Sequence, residues 1–189
     1  MVTLQDTDIV SALQEDGERG FRLLMTKYKQ VVYWHIRRLV VSHDDAQDAA
    51  QETFIRVFRS FGQFKGKDSL EQLQEKSSLA AWIYRIATNE ALRILQRRHN
   101  EQLSLENVQT EANRLKAENF VDYNDLEAVK LQKAIVSLPT KQQLAFNLRY
   151  YDELGYDEIA NITGSTPANV KANYHIAKEK IVKYMKTND

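Results

Sequence analysis

The chain has 189 residues, 43% hydrophobic and 28% charged, enough to bury a core and stay in solution. Its 26 basic and 26 acidic residues give zero formal net charge, whereas autonomous tight DNA binders carry a cationic excess. Cysteine is absent, which excludes disulfides and thiolate metal sites, and two prolines with six glycines favour helices over a turn-rich β fold. The N-terminus, MVTLQDTDIV, lacks the pattern of a secretory signal. No apolar run approaches the ~20 residues of a membrane span, so a cytoplasmic location is expected.

From Asp6 to Glu18, Ile9, Val10 and Leu13 share one side of a short amphipathic helix, which Gly17 and Gly20 interrupt. Beyond Phe21, Leu24, Met25, Tyr28, Val32, His35, Ile36, Leu39 and Val40 recur at three- and four-residue steps and predict a core helix. His35 falls on its apolar side and reads as a satisfied core histidine. Ser42-His-Asp-Asp45 is a helix start, with a capping serine and acids in the first turn. In the helix that follows, Ala46, Ala49, Ala50, Thr53, Phe54, Val57, Phe58 and Phe61 form a buried stripe. Its second face carries Asp48, Gln51, Glu52, Ile55 and Arg59, an acidic surface with an apolar centre, suited to docking a basic partner.

Gly62 to Ser78 is polar and irregular. Gly62, Gly66 and Lys67 only superficially resemble a phosphate-binding loop: the glycine spacing is short, and Asp68 stands where a Ser or Thr would hold magnesium. Leu79 to Arg98 is a strong helix with two faces. Ile83, Ala87, Ala91 and Ile94 point to a core, flanked by Tyr84 and Leu95. Trp82, Arg85, Asn89, Arg93, Gln96 and Arg97 lie opposite, where guanidiniums can meet phosphates and an indole can stack on an unpaired base.

His99 to Asp125 has no sustained apolar period and reads as a linker, with Leu103, Leu105, Leu115 and Phe120 making passing contacts. Leu126 to Ser137 is a helix ending at Leu138-Pro139. Thr140 with Gln143 predicts a capping box for the next helix, which turns Leu144, Ala145, Leu148 and Tyr151 inward. Gly155 breaks it. Tyr156 to Thr163 is a two-turn helix closed by Gly164; Thr166 and Pro167 then cap and open a final helix towards Met185, with Val170, Tyr174, Ala177, Ile181 and Tyr184 buried. A short helix, a glycine turn and a capped longer helix form a helix-turn-helix, in which small Ala160 permits the close crossing. The outward face near the start of the last helix carries Asn169, Lys171, Ala172, Asn173, His175, Ile176 and Lys178, where amides and Lys can read base edges. The fold class is therefore all-α: two small helical domains joined by a linker.

Both halves, in this order, resemble the extracytoplasmic-function sigma factors of the sigma-70 family. The resemblance rests on DAQDAAQETFIRVFRSF (Asp45 to Phe61), WIYRIATNEALRILQRR (Trp82 to Arg98) and the segment from Ser137 to Ile181. It implies that residues 1–98 bind the clamp helices of the largest subunit of RNA polymerase through Asp48, Gln51, Glu52, Ile55 and Arg59. The same domain would take the opened −10 element on Trp82, Arg85, Asn89, Arg93, Gln96 and Arg97. It further implies that 99–125 thread towards the polymerase active site, and that 126–189 read the −35 element and meet the flap of the second-largest subunit. Family members are often held inactive by an anti-sigma factor. The segment Lys65 to Ser78 is longer than the family pattern, and Asn173 and Ile176 stand where the family often has arginine.

A competing reading is a stand-alone helix-turn-helix regulator with an N-terminal sensing or dimerisation domain. Zero net charge and the basic-aromatic helix disfavour it. An enzymatic reading finds no support: His35, His43, His99 and His175 lack metal-ligand spacing, there is no nucleophile elbow, and no acid–base pair is identifiable, so no cofactor or catalytic residue is expected.

Overall fold

The computed structural model describes residues 4–64, 79–104 and 125–187, apart from the side chains of 101–104. Eight α-helices run through these residues, and no strand: α1 (Asp6–Glu15), α2 (Gly17–Val40), α3 (His43–Ser60), α4 (Leu79–Ser104), α5 (Leu126–Val136), α6 (Thr140–Tyr150), α7 (Tyr156–Thr163) and α8 (Pro167–Thr187). One 3-10 turn, Phe61–Gln63, follows α3.

The amphipathic stripes of α1 to α4 converge on one core: Ile9, Val10, Leu24, Val32, Ile36, Ala46, Phe54, Val57, Leu79, Ile83 and Ala87 are all buried in it. Asp16 separates the first two helices, capping α2 by accepting from the Glu18 and Arg19 amides. Gly20, expected to interrupt, lies inside α2. A Cβ there would stand 2.3 Å from Leu13 N, so the missing side chain is what lets α1 fold back against α2. Ser42 caps α3 as expected, its hydroxyl accepting from the Asp45 amide at 3.3 Å. The α3 stripe stops one turn early. Phe58 is 51% exposed, touched edge-on by Phe21 at the rim where the α1–α2 turn covers only part of the ring. α4 continues to Ser104, so the first residues after Arg98 are helical rather than irregular. Leu105, Leu115 and Phe120, and the side chain of Leu103, lie outside the described residues, as does 65–78.

The C-terminal helices build two further clusters. Leu148, Ile159, Ala160, Ile162 and Val170 pack the α6–α7–α8 crossing. Ala134, Ile135, Leu138, Phe146, Ala177 and Ile181 seat α5 on α8. Each fully buried Leu or Ile here contributes about 1.5–3 kcal/mol of transfer free energy. Gly164 holds the left-handed conformation (φ 64°) that ends α7, and Thr166 accepts from the Asn169 amide at 3.2 Å to cap α8. The capping box expected from Thr140 and Gln143 does not form. Pro139 is the N-cap, its carbonyl already accepts from the Gln142 and Gln143 amides, and Gln143 is buried instead of reaching back. The two halves touch: Tyr84 and Ala81 of α4 join the α6–α7–α8 cluster, and Leu144 of α6 joins the N-terminal core.

Candidate nucleic-acid interface

The core stripe of α4 is buried, which leaves the opposite face outward. Arg85, Asn89, Arg93, Gln96 and Arg97 are all exposed along it. From Trp82 to Arg97 the face runs about 22 Å at 1.5 Å per residue, the length of several stacked nucleotides. Trp82 is half-buried: its ring tilts against Phe64 at 5.0 Å, and Phe64 stacks in turn on Phe61 at 6.2 Å. The indole thus leans on the turn after α3, which fixes its plane.

Carboxylates beneath this face steer its arginines. Glu90, buried, bridges Arg56 of α3 at 2.9 Å and Arg93 at 2.9 Å. Asp45 lies 3.9 Å from Arg97 and pairs closely with Arg98, whose other terminal nitrogen donates to the Val40 carbonyl at 2.6 Å. Arg93 and Arg97 keep more than half of their side-chain surface in solvent, so both remain available to phosphate while their stems are positioned. Arg56, Arg59, Ile86 and Asn89 also line a cleft of about 400 Å³ between α3 and α4.

On α3, Asp48, Gln51, Ile55 and Arg59 are exposed and Glu52 is half-buried, paired with Arg56 at 3.0 Å. Asp48 and Gln51 extend into a groove of about 580 Å³ between α2 and α3, lined also by Met25, Tyr33 and Phe54. The α3 face and the α4 face therefore meet at the cleft that holds Arg59 and Asn89.

On α8, Asn169, Lys171, Ala172, His175, Ile176 and Lys178 are exposed. Asn173 is half-buried; its Nδ2 donates to the Asn169 carbonyl at 2.9 Å, and it lines a crevice of about 330 Å³ shared with Leu92 of α4. The expected reading face is thus outward except at Asn173.

Sequence reasoning missed one cluster. Asp152, in the turn between α6 and α7, inserts between α2 and α4. Its Oδ1 accepts from Arg38 Nη2 at 2.6 Å and from the Tyr84 hydroxyl at 3.1 Å, and its Oδ2 faces His35 Nδ1 at 3.6 Å. His35 Nε2 contacts Thr88 Oγ1 at 2.8 Å. Burial lowers the affinity of the fully enclosed His35 for a proton, and Asp152 only partly offsets this. Burial alone would raise the Asp152 pKa, but His35 and the Arg38 guanidinium override it and hold the carboxyl below its ordinary range. Burial, with Asp152 alongside, pushes the Tyr84 phenol up. His35 is the core histidine expected but is only half satisfied: Nε2 meets Thr88, whereas Nδ1 lacks a hydrogen-bond partner and faces a carboxylate 117 positions away that left no periodic trace.

An arginine–aromatic helix packed in one helical domain and a capped helix-turn-helix in the next define a two-part DNA-reading protein. Two family profiles match in that order: "Sigma-70 region 2" over 24–101 and "Sigma-70, region 4" over 128–181. The chain is 29% identical over 188 residues to the RNA polymerase sigma-H factor of Pseudomonas aeruginosa, covering 95% of this chain and 93% of that one. It is 28% identical over 192 residues to the ECF RNA polymerase sigma-E factor of Escherichia coli K12, covering 94% and 93%. Among solved structures, CnrH in complex with the cytosolic domain of CnrY aligns with a TM-score of 0.71 at 16% identity, over 97% of this chain and 99% of that one. The sigma factor RpoE of Bartonella quintana, in complex with the anti-sigma factor NepR, aligns with 0.67 at 19%, over 89% and 98%. The chain belongs to the sigma-70 family, in its extracytoplasmic-function group. It is an RNA polymerase sigma factor, with core polymerase and promoter DNA as its partners.

Proposed function

We propose a division of that work among three surfaces. Asp48, Gln51, Glu52, Ile55 and Arg59 of α3 grip the clamp helices of the largest polymerase subunit. The α4 face of Trp82, Arg85, Asn89, Arg93, Gln96 and Arg97 takes the opened −10 element. Asn169, Lys171, Ala172, Asn173, His175 and Lys178 of α8 read the −35 element, while the C-terminal domain meets the polymerase flap. Residues 1–98 and 126–189 act as the two functional domains, with 99–125 between them.

The observation that carries this reading is the α4 face itself: five polar or cationic side chains stand in solvent on one helix side, beside a half-buried tryptophan tilted against Phe64. Single-stranded DNA needs that pairing of phosphate contacts with an aromatic platform. Neutral net charge fits a subunit that gains its DNA affinity from the polymerase. The protein works in the cytoplasm, beside the polymerase, and does no chemistry of its own; an anti-sigma factor is a further partner, as for RpoE of Bartonella quintana.

Run-off transcription tests it. Purified core polymerase plus this chain starts at a cognate promoter, and core alone does not. A chain that binds duplex tightly by itself, yet never directs core polymerase to start, is a stand-alone regulator instead.

A further inference from the structure

We propose that the docking face of α3 and the strand-binding face of α4 are energetically coupled through one buried carboxylate, Glu90, which acts as a positioning residue for both. The coupling rests on the reading of Glu52 and Arg93 given above and adds a physical link between them. Glu52, Arg56, Glu90 and Arg93 form a ladder of alternating charge that crosses from one helix to the other. Glu52 Oε1 lies 3.0 Å from Arg56 Nε, and Glu90 Oε1 lies 2.9 Å from that same nitrogen. Glu90 Oε2 accepts from Arg93 Nη1 at 2.9 Å.

Two features make this ladder more than a row of surface pairs. The first is competition. An arginine Nε carries a single hydrogen; here it is directed at Glu52 Oε1, while Glu90 meets the same nitrogen from the neighbouring helix. What one carboxylate gains from Arg56, the other loses. The second is unequal burial. The Glu90 side chain is 6% exposed, against 42% for Glu52, 46% for Arg56 and 64% for Arg93. Water can replace a lost partner of Glu52 but not of Glu90, and a buried carboxylate left unpaired is strongly unfavourable. Glu90 therefore holds whichever arginine remains to it, and that decides how Arg56 is shared.

The direction of the coupling follows. While Arg93 is tied to Glu90, Arg56 is left to pair with Glu52, and Glu52 is occupied. When Arg93 leaves Glu90 for a phosphate, Glu90 draws Arg56 over and Glu52 is freed for a basic group. Coupling between two binding events is reciprocal. A basic group that takes Glu52 hands Arg56 to Glu90 and loosens Arg93 for the strand. Each step is worth about threefold in affinity, the scale that partly exposed ion pairs give in double-mutant cycles.

The test measures the affinity of the full chain for core polymerase in the absence of DNA. Arg93→Ala should raise that affinity about threefold, by sending Arg56 to Glu90 and freeing Glu52. Glu90→Gln should lower it about threefold, because Arg56 then belongs to Glu52 alone. Opposite signs from two substitutions one turn apart are what a merely structural role cannot give, since loosened packing would lower both. In the Glu90→Gln background, Arg93→Ala should have no further effect, as expected of residues acting through one another. An affinity that falls or stays level in Arg93→Ala overturns the coupling, as does a rise that persists without the Glu90 charge. Should Glu90→Gln lose helicity, the exposed Arg93→Ala decides alone by the sign of its effect. Glu52→Gln separates the coupling from the reading beneath it, and should weaken core binding. If it does not, the α3 assignment fails and the coupling with it. If it does, while both α4 substitutions are silent, the assignment stands and the coupling alone falls.

Discussion

The two helices proposed to meet DNA are anchored in opposite ways. α4 is driven through the main core, with Leu79, Ile83, Ala87 and Ala91 buried and Glu90 and Asp45 fixing its outward arginines from below. α8 is buried at Val170, Ala177 and Ile181, while Lys171, Lys178, Lys180 and Lys183 stand in solvent around it. A rigid arginine comb beside a tryptophan suits catching bases that have left the helix, where geometry decides. A lysine-edged reading helix on a small domain suits an intact groove, where the partner is already ordered. On the proposed reading, one chain uses stiffness for melting and a helix-turn-helix for reading.

The comparison depends first on the proposed polymerase-docking face of α3. Asp48→Arg with Glu52→Arg should abolish core binding, lowering affinity at least about a hundredfold by setting like charges against a basic partner. Circular dichroism should show the fold retained, because both side chains lie outside the core. Undiminished binding in a pull-down with core polymerase would refute that face.

The stiffness of the N-terminal domain can be broken at Gly20. Adding one methyl in Gly20→Ala drives a Cβ into the Leu13 backbone, and a helix backbone cannot swing away as a side chain tip can. A loss of about 1–3 kcal/mol is expected from the overpacking, read as a lower midpoint in urea. A neutral result would mean that α1 docks loosely.

A smaller effect sharpens the contrast between melting and reading. Trp82→Ala should slow strand opening about tenfold while leaving polymerase affinity unchanged, measured by permanganate reactivity of unpaired thymines beside a binding titration. Equal loss of both would assign Trp82 to packing on Phe64 alone. On α8, by contrast, Lys178→Ala should weaken promoter binding uniformly across sequences and reduce the salt slope by about one.

Much of this was legible in the sequence because helices write their environment at a fixed period. The stripes of α2, α3 and α4, the Ser42 and Thr166 caps and the Gly164 stop all follow from local chemistry. Phe58 and the Thr140–Gln143 capping box were misread for a related reason. Period alone does not say where a neighbouring helix ends, and a proline at position 139 moves the helix start by one residue. The Asp152 cluster was illegible: a lone aspartate in a turn and a histidine on a core face gain meaning only when two domains meet.

That cluster gives the smallest and most diagnostic expectation, a pH dependence. Two groups set its sign. His35 is enclosed by Asp152 from the α6–α7 turn, Arg38 on its own helix, and Tyr84 and Thr88 of α4, and its folded pKa lies below 6.5. The unfolded chain therefore takes up the proton first, so stability is fully present above pH 6.5 and is lost as pH falls below it. Asp152, with its folded pKa also depressed, adds a second loss at lower pH, through and below the ordinary carboxylate range. Both act in one direction, so the melting temperature should be level from pH 8 to 7 and then fall on acidification, by about 2–4 °C for each kcal/mol lost in a chain of this length. Replacing His35 with glutamine should flatten the first part of the decline, and Asp152→Asn the second. His43 and His175 are exposed and lie away from the seam, so a decline that survives both substitutions would place the pH-sensitive group elsewhere and detach the domain seam from the titration.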